Sequence, residues 1–465
     1  MIKLLLALVL LYTTRPAAGE FTAGASAIDC TPTNLPVRVA GSIRETWKNK
    51  ITDKLHVRCL LLNDGDNTIV MGTVDTCLMG RPMLDEAKEK ARQLTGIPVA
   101  NMLISATHAH SAPAVMDAHG TLPHPQYRAY LTGRITEAIV EAHRNQRPAE
   151  IGWAVSKCPE YVFCRRWLMK PGTAFSIPFT DAKTNLAQMN PGNKNANKIR
   201  PTGPADPDVT VLMVRGIDGR PISLLANYST HYAGAPDVSA DYFGVFAQEI
   251  AKRLNATGQS PPFVGLISNG ASGDANCNNV KSEVRNKYDR FIVANAVVDA
   301  AMDAVGKMKF EKSVPIRAAE KELSMLVRKP TDAEVRDAQA FLDEHQKDGK
   351  VKNWPDDYAR ETVLLSKWPD RHAFKVQVLR AGDFAFAATP CEMYGSTGLK
   401  IKQDSPFKTT MVVGLANGYS GYLPPPDQFQ YGGYTTWRAR TSMLEHQAEP
   451  KIRSELSRLM KQTLE

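Results

Sequence analysis

The sequence predicts an α/β fold, a layered sandwich of mixed β-sheets flanked by helices and built as one large domain. Three observations predict it. Short apolar runs, often β-branched, alternate with longer amphipathic ones along the chain. The two kinds of segment interleave throughout, and no composition shift marks a linker between halves. The 465 residues are 43% hydrophobic and 23% charged, enough apolar material for one large core and far from a disordered composition.

Taken in order, "MIKLLLALVLLYTTRPAAGEF" has an early lysine, an apolar stretch of roughly ten residues and then small residues. This layout predicts an export signal over residues 1–19, with cleavage after Gly19 and the catalytic domain over 20–465. No later segment approaches about 18 unbroken apolar residues, so the mature chain is expected to be exported, secreted or periplasmic, with no transmembrane segment. Strands are expected at "HVRCLLL", "TIVMGTV", "NMLISAT", "EIGWAV", "VTVLMVRG", "ISLLANY", "FVGLIS", "FKVQVLR", "DFAFAAT" and "TTMVVGL". Helices are expected at "PMLDEAKEKARQLTG", "PQYRAYLTGRITEAIVEAHRNQ", "DYFGVFAQEIAKRLNATG", "NKYDRFIVANAVVDAAMDAVGK", "TDAEVRDAQAFLDEHQKDG" and "EPKIRSELSRLMKQTLE". Gly96 closes the first of these, and Thr331 with Glu334 has capping-box spacing at the start of the fifth. Residues 170–206, rich in Gly, Pro and Asn without a period, read as a long functional loop. Residues 328–372 read as a charged, mostly helical insertion between two strands.

The net charge of +9 is spread along the chain. Nucleic-acid binding would need basic residues concentrated between aromatics, and no such groove is visible. Peripheral contact with an anionic membrane surface remains compatible with the charge. The seven cysteines form no CxxC pair, which argues against a cysteine-based zinc site. Cys158 and Cys164 are spaced to close a short disulfide loop, and the odd count leaves at least one thiol unpaired.

The chemistry concentrates at strand ends. In "LISATHAH", His108 and His110 are two residues apart, so on a strand running out into a loop both rings face the same space. That pattern favours a metal pair over packing, and zinc asks for three or four ligands. His231 follows "LLANYST", Glu392 follows "FAFAATPC", Asp274 lies in "NGASGDANCNN", and Tyr419 and Tyr422 lie in "GLANGYSGYLPPP". Each stands just after an apolar strand.

With these segments assembled, the chain resembles the neutral/alkaline (non-lysosomal) ceramidase family. "SATHAHSAP" is similar to the family's SATHTHSGP, "NGASGDANCNN" to GDVSPN, "TPCEMYG" to PGE, and "ANGYSGYLPPPDQFQYGGY" to N-x-Y-x-x-Y-x-T-T. "VSADYFG" resembles SADFPG and "CRRW" resembles NRS, all in the family's order over roughly residues 22 to 460. The family's C-terminal immunoglobulin-like domain has no counterpart in this sequence.

The resemblance implies a zinc-dependent amidohydrolase that cleaves the N-acyl bond of ceramide, or of another N-acyl amide, to a fatty acid and an amine such as sphingosine. One Zn²⁺ per chain would be held by His108, His231, Glu392 and Tyr422. His110 would then be a proton donor rather than a ligand, and Arg165 an active-site arginine. Asn276 stands where the family has a serine, and it is carried as a catalytic residue that can bind a carbonyl or hydroxyl through its amide. Asp75 and Asp241 are expected to orient ligand imidazoles, with Asp274 and Tyr419 contacting ligands or substrate. Two other readings stay open: a catalytically inactive relative that binds a lipid or glycan, motivated by Asn276, and a serine hydrolase using Ser272 with His231.

Overall fold

A computed structural model of the chain describes residues 20–346 and 349–465. The expected export signal, residues 1–19, lies outside the described residues. The aliphatic and β-branched runs pair into a large mixed sheet. Its order from one edge is Val264–Asn269, Pro221–Tyr228, Asp208–Gly216, Arg147–Lys157, Thr22–Asp29, His56–Asn63, Thr68–Val74 and Met102–Ala106. The inner pairs are antiparallel, and the two halves of the sheet meet only over Thr22↔Pro148 and Ala23↔Arg147. Both edge pairs are parallel.

The helices are α1 (Arg81–Thr95), α2 (Pro125–Arg144), α3 (Asp241–Arg253), α4 (Arg290–Lys307), α5 (Asp332–His345), α6 (Trp354–Ser366), α7 (Gly395–Gln403) and α8 (Ala448–Gln462). Parallel pairing requires a crossover, and α1 and α3 supply it at the two edges of the large sheet. A second sheet orders Ile316–Leu326, Arg371–Ala381, Phe384–Ala388 and Thr409–Val413, its last pair parallel across α7.

One face of the large sheet packs on α1 to α4. The other packs on the second sheet, Leu60, Leu103 and Leu225 meeting Leu379, Phe386 and Met411 in one buried cluster. The far face of the second sheet packs on α7 and α8. The layers are therefore helix, sheet, sheet, helix. Strands covered on both faces need no polar side, which is why "CLLL" and "IVMG" read as unbroken apolar runs. Gly96 closes α1 in the left-handed region, and Thr331 and Glu334 form the capping box of α5.

Several elements differ from the sequence reading. Thr22–Asp29 is built from small residues, and Ile316–Leu326 alternates charges, so neither carries an apolar run. Residues 170–206 are not a bare loop: Ala187–Met189 and Lys198–Pro201 flank Arg166–Met169 as a small sheet. Cys158 and Cys164 are free buried thiols, as are the other five cysteines, and Cys164 Sγ meets the Arg166 carbonyl instead. Among the described residues no helix is long and apolar enough to cross a membrane.

Six parallel-strand ends converge through backbone bonds. Thr107 N–H donates to Val74, Gly270 to Tyr228, Gly414 to Asn269, Ala106 to Leu415 and Ala416 to Thr389, at 2.9–3.1 Å. Asn269 Nδ2 adds a bond to the Thr107 carbonyl at 3.3 Å. This knot joins the loops that carry His108, His231, Ser272, Glu392 and Tyr422.

Candidate metal centre

The strand before the paired histidines stops at Ala106, so His108 and His110 lie on a turn rather than on one strand face. His108 adopts φ +74°, an uncommon conformation for a side chain with a Cβ, and strain of this kind concentrates at functional sites. The turn still aims both rings at one point: His110 Nε2 lies 3.1 Å from His108 Nε2, and His231 Nε2 lies 3.0 Å from it. His108 Nδ1–H donates to the Cys77 carbonyl at 3.0 Å and His231 Nδ1–H to the Ser272 carbonyl at 3.2 Å. A carbonyl only accepts, so in the neutral form of each ring Nε2 would be the acceptor, and the two Nε2 atoms face each other. Glu392 Oε2 reaches within 3.4 Å of His108 Nε2.

The donor atoms of His108, His231 and Glu392 all lie within 4.8 Å of one another, in buried surroundings. Glu392 Oε2 is buried with no hydrogen-bond partner among the described residues. Two imidazole nitrogens in contact beside a buried carboxylate need a positive charge among them, supplied by a proton on His108 or by a metal ion, and imidazole with carboxylate is a donor set that zinc accepts. Burial opposes charge on His108, yet Cys77 and Glu392 outweigh it and lift its pKa to about 10. Burial, with the His108 and Arg165 charges, holds His110 and His231 well below the usual histidine range. Burial also works against the Glu392 carboxylate, but His108, Arg165 and Tyr419 keep it below the usual range. The cluster is thus arranged around one positive charge.

Neighbours hold it in shape. Tyr419 O–H donates to Glu392 Oε1 at 2.9 Å. Tyr422 is the register partner of Glu392 in a two-residue parallel ladder, and its hydroxyl lies 3.5 Å from Arg165. The Arg165 guanidinium donates to the Gly273 carbonyl at 3.0 Å, while its backbone N–H donates to Asp274 at 2.7 Å.

Other sequence-derived residues sit beside the cluster with different partners. Asp75 accepts from Arg58 at 2.7 Å and from the His56 amide at 2.9 Å, so the Cys77 carbonyl, not Asp75, orients His108. Asp241 accepts from the amides of Ala233, Gly234 and Tyr242. That fixes the loop of Tyr232, whose ring stacks on His110 at 3.8 Å; no imidazole is oriented by Asp241 itself. Asp274 accepts the Gly395 amide and, by burial, is pushed up to about 6. Asn276 Nδ2 donates to Asn190 Oδ1 at 2.7 Å, which puts Asn190 rather than Asn276 on the cavity wall. Ser272 Oγ donates to Asn269 at 2.6 Å and only its carbonyl meets His231, so no Ser–His nucleophile pair exists there.

A cavity of about 500 Å³ opens onto the cluster, and His110, His231, Arg165 and Tyr422 line its floor. Its lining also holds residues the sequence reading passed over: Gly41, Tyr232, Tyr434, Trp354, Trp437 and Phe175. His119 lines it too and pairs with Asp357 at 2.7 Å. The available signals were weak: Tyr232 adjoins His231, Phe175 belongs to the aperiodic 170–206 stretch, and Trp354 to the charged insertion.

No protein-family model matches the chain, and no curated protein matches it by sequence. By structure, the helix–sheet–sheet–helix sandwich is a neutral ceramidase-like fold. The neutral ceramidase from Pseudomonas aeruginosa superposes with a TM-score of 0.71 at 12% identity, covering 95% of this chain and 74% of that one. A structure described as ceramidase complexed with C2 gives a TM-score of 0.70 at 11% identity, covering 95% of this chain and 75% of that one.

Proposed function

We propose that the protein is a metal-dependent amidohydrolase that cleaves an N-acyl bond to a carboxylic acid and an amine, with ceramide-like amides as the starting class. The observation that carries this reading is the convergence of His108, His231 and Glu392 within 4.8 Å beside His110 and Arg165, at the floor of a cavity. The ceramidase neighbours support it. A divalent cation, assigned as one Zn²⁺, would be held by His108, His231 and Glu392 with Tyr422, and when bound it polarises an amide carbonyl and makes water more acidic.

The chain's own groups account for the rest. Hydrogen bonds from Nδ1 to the Cys77 and Ser272 carbonyls fix the tautomers of His108 and His231, leaving Nε2 available. Tyr419 holds Glu392 by its outer oxygen. Arg165, buried and pinned to Gly273, directs positive charge at the oxygen that becomes anionic as the carbonyl is attacked. Burial and the neighbouring positive charges hold His110 well below the usual histidine range, which favours the neutral ring, whose Nε2 can accept the proton of the attacking water and pass it to the departing nitrogen. The C–N bond breaks, water oxygen stays on the acyl carbon, and its proton leaves on the amine. Export and peripheral membrane contact complete the proposal.

The test is turnover of N-acyl-sphingosines and simpler N-acyl amines by the purified chain, with His110→Ala as the background. Release above that background, abolished by a chelator and restored by zinc, supports the assignment. No release above it favours the non-catalytic reading, in which the site only binds.

A further inference from the structure

Above the metal cluster the cavity carries a continuous wall of aromatic rings. From Tyr422 the ring centroids step 5.4 Å to Tyr434, 5.4 Å to Trp354 and 6.5 Å to Phe175 at the rim. Trp437 backs the rim 6.2 Å from Phe175. Three separate segments build this wall: the 422–437 stretch, the first residue of α6 in the charged insertion, and the 170–206 stretch.

The wall is anchored rather than loose. Trp437 Nε1–H donates to Asn185 at 2.7 Å, and the Tyr434 hydroxyl lies 3.4 Å from His119 Nε2. His119 is in turn held by Asp357, three residues along α6 from Trp354. Trp354 and Tyr434 are only half-buried and Phe175 is 46% exposed, so their faces are open to a ligand in the cavity.

Size narrows the ligand. The cavity is open at its rim, and at the roughly 30 Å³ that a water-sized group occupies in a liquid, the 500 Å³ it encloses covers about 17 non-hydrogen atoms of a ligand, with the rest lying outside the rim. A sphingoid base bearing a hexadecanoyl chain has roughly double that number. Flat rigid rings also favour a compact apolar group over two long flexible chains, because stacking fixes orientation at small entropic cost.

Resting on the amidohydrolase reading, we propose that the substrate is a compact N-acyl amine with a short or medium acyl chain or an aryl group, and that Trp354 is the residue that selects it. The amide lies over the His108 cluster, and its apolar group lies along Tyr434, Trp354 and Phe175. The insertion that supplies Trp354 is therefore a specificity element.

The experiment compares N-octanoyl-phenethylamine with N-hexadecanoyl-sphingosine in detergent, on wild type, Trp354→Ala and Phe175→Ala. Calorimetric binding of the octanoyl amide to His110→Ala, the hydrolysis background that keeps its metal ligands, is measured alongside. The expected result is higher kcat/KM for the compact amide, and a KM raised at least about tenfold in Trp354→Ala with kcat nearly unchanged. A smaller rise is expected in Phe175→Ala, where the ring is more exposed. Preference for the hexadecanoyl lipid, or an unchanged KM in both variants, overturns the proposal. The binding arm separates the two readings. Tight binding without hydrolysis by wild type removes the enzymatic assignment and leaves the wall as a recognition surface; absence of binding removes the wall.

Discussion

Gly41→Ala is the sharpest single perturbation of the proposed proton-transfer group. Gly41 has φ +93°, and a Cβ built there stands 2.0 Å from His110 Nδ1 and 2.5 Å from its Cε1 and Cγ. Non-bonded heavy atoms settle near 3.5–4.0 Å, so the imidazole must retreat by more than about 1 Å. Misplacing a reacting group by about 1 Å costs on the order of 100-fold, and losing a general acid–base group about 100- to 10,000-fold. The variant should therefore lose at least about 100-fold in kcat for an N-acyl amide. It should keep its metal, because His108, His231 and Glu392 do not touch Gly41. The assay pairs steady-state hydrolysis with metal content by mass spectrometry. Gly219→Ala is the control: it has φ +81° and nothing within 4 Å, so it shares the backbone strain without the clash. Both variants should lose about 1–3 kcal/mol of stability. Activity of Gly41→Ala within about threefold of Gly219→Ala would refute the role assigned to His110.

Tyr419→Phe removes the hydroxyl that Glu392 Oε1 accepts and little else, so metal affinity should fall roughly 10- to 100-fold in a competition titration with a chromophoric chelator. An unchanged affinity would show that this bond does not tune the site. Asp274 provides a pH signature. Burial holds its carboxyl at about 6 against 3.8, so the folded chain keeps a proton that the unfolded chain has already lost. Its contribution to stability is then complete below about pH 4, declines as pH rises through 6 and is flat beyond. Relative to Asp274→Asn, wild type should lose up to about 3 kcal/mol between pH 4 and 7, read from urea midpoints. A constant difference between the two proteins would contradict that environment.

Much of the fold was legible because double-sided burial writes long apolar runs. "TIVMGTV" coincides with the Thr68–Val74 strand, and α5 begins at the capping box that Thr331 and Glu334 spell. What escaped lacked such runs: the small residues of Thr22–Asp29 and the alternating charges of Ile316–Leu326; α6, whose buried face carries Asp356, Asp357 and Glu361, was legible only as part of a charged, mostly helical insertion. At the site, residues after strand ends were readable, since a ligand needs a rigid apolar support behind it. Their partners were not. The Cys77 and Ser272 carbonyls that orient the imidazoles are backbone atoms, which no residue type announces. Asp75 looked suited to that task, yet it is engaged by buried Arg58, its neighbour across paired strands. The aromatic wall escaped for another reason: Phe175, Trp354 and Tyr434 are brought together from segments about 80 to 180 residues apart only by the tertiary fold.

The measurement that tests the central claim most directly is zinc content of the purified chain, wild type beside His108→Ala and His110→Ala. The account predicts near-stoichiometric zinc in wild type, lost in His108→Ala and retained in His110→Ala. Loss in both variants would make His110 a ligand and leave the proton transfer without a donor. Wild type that binds no zinc, even when it is supplied at neutral pH, would contradict the metal centre itself.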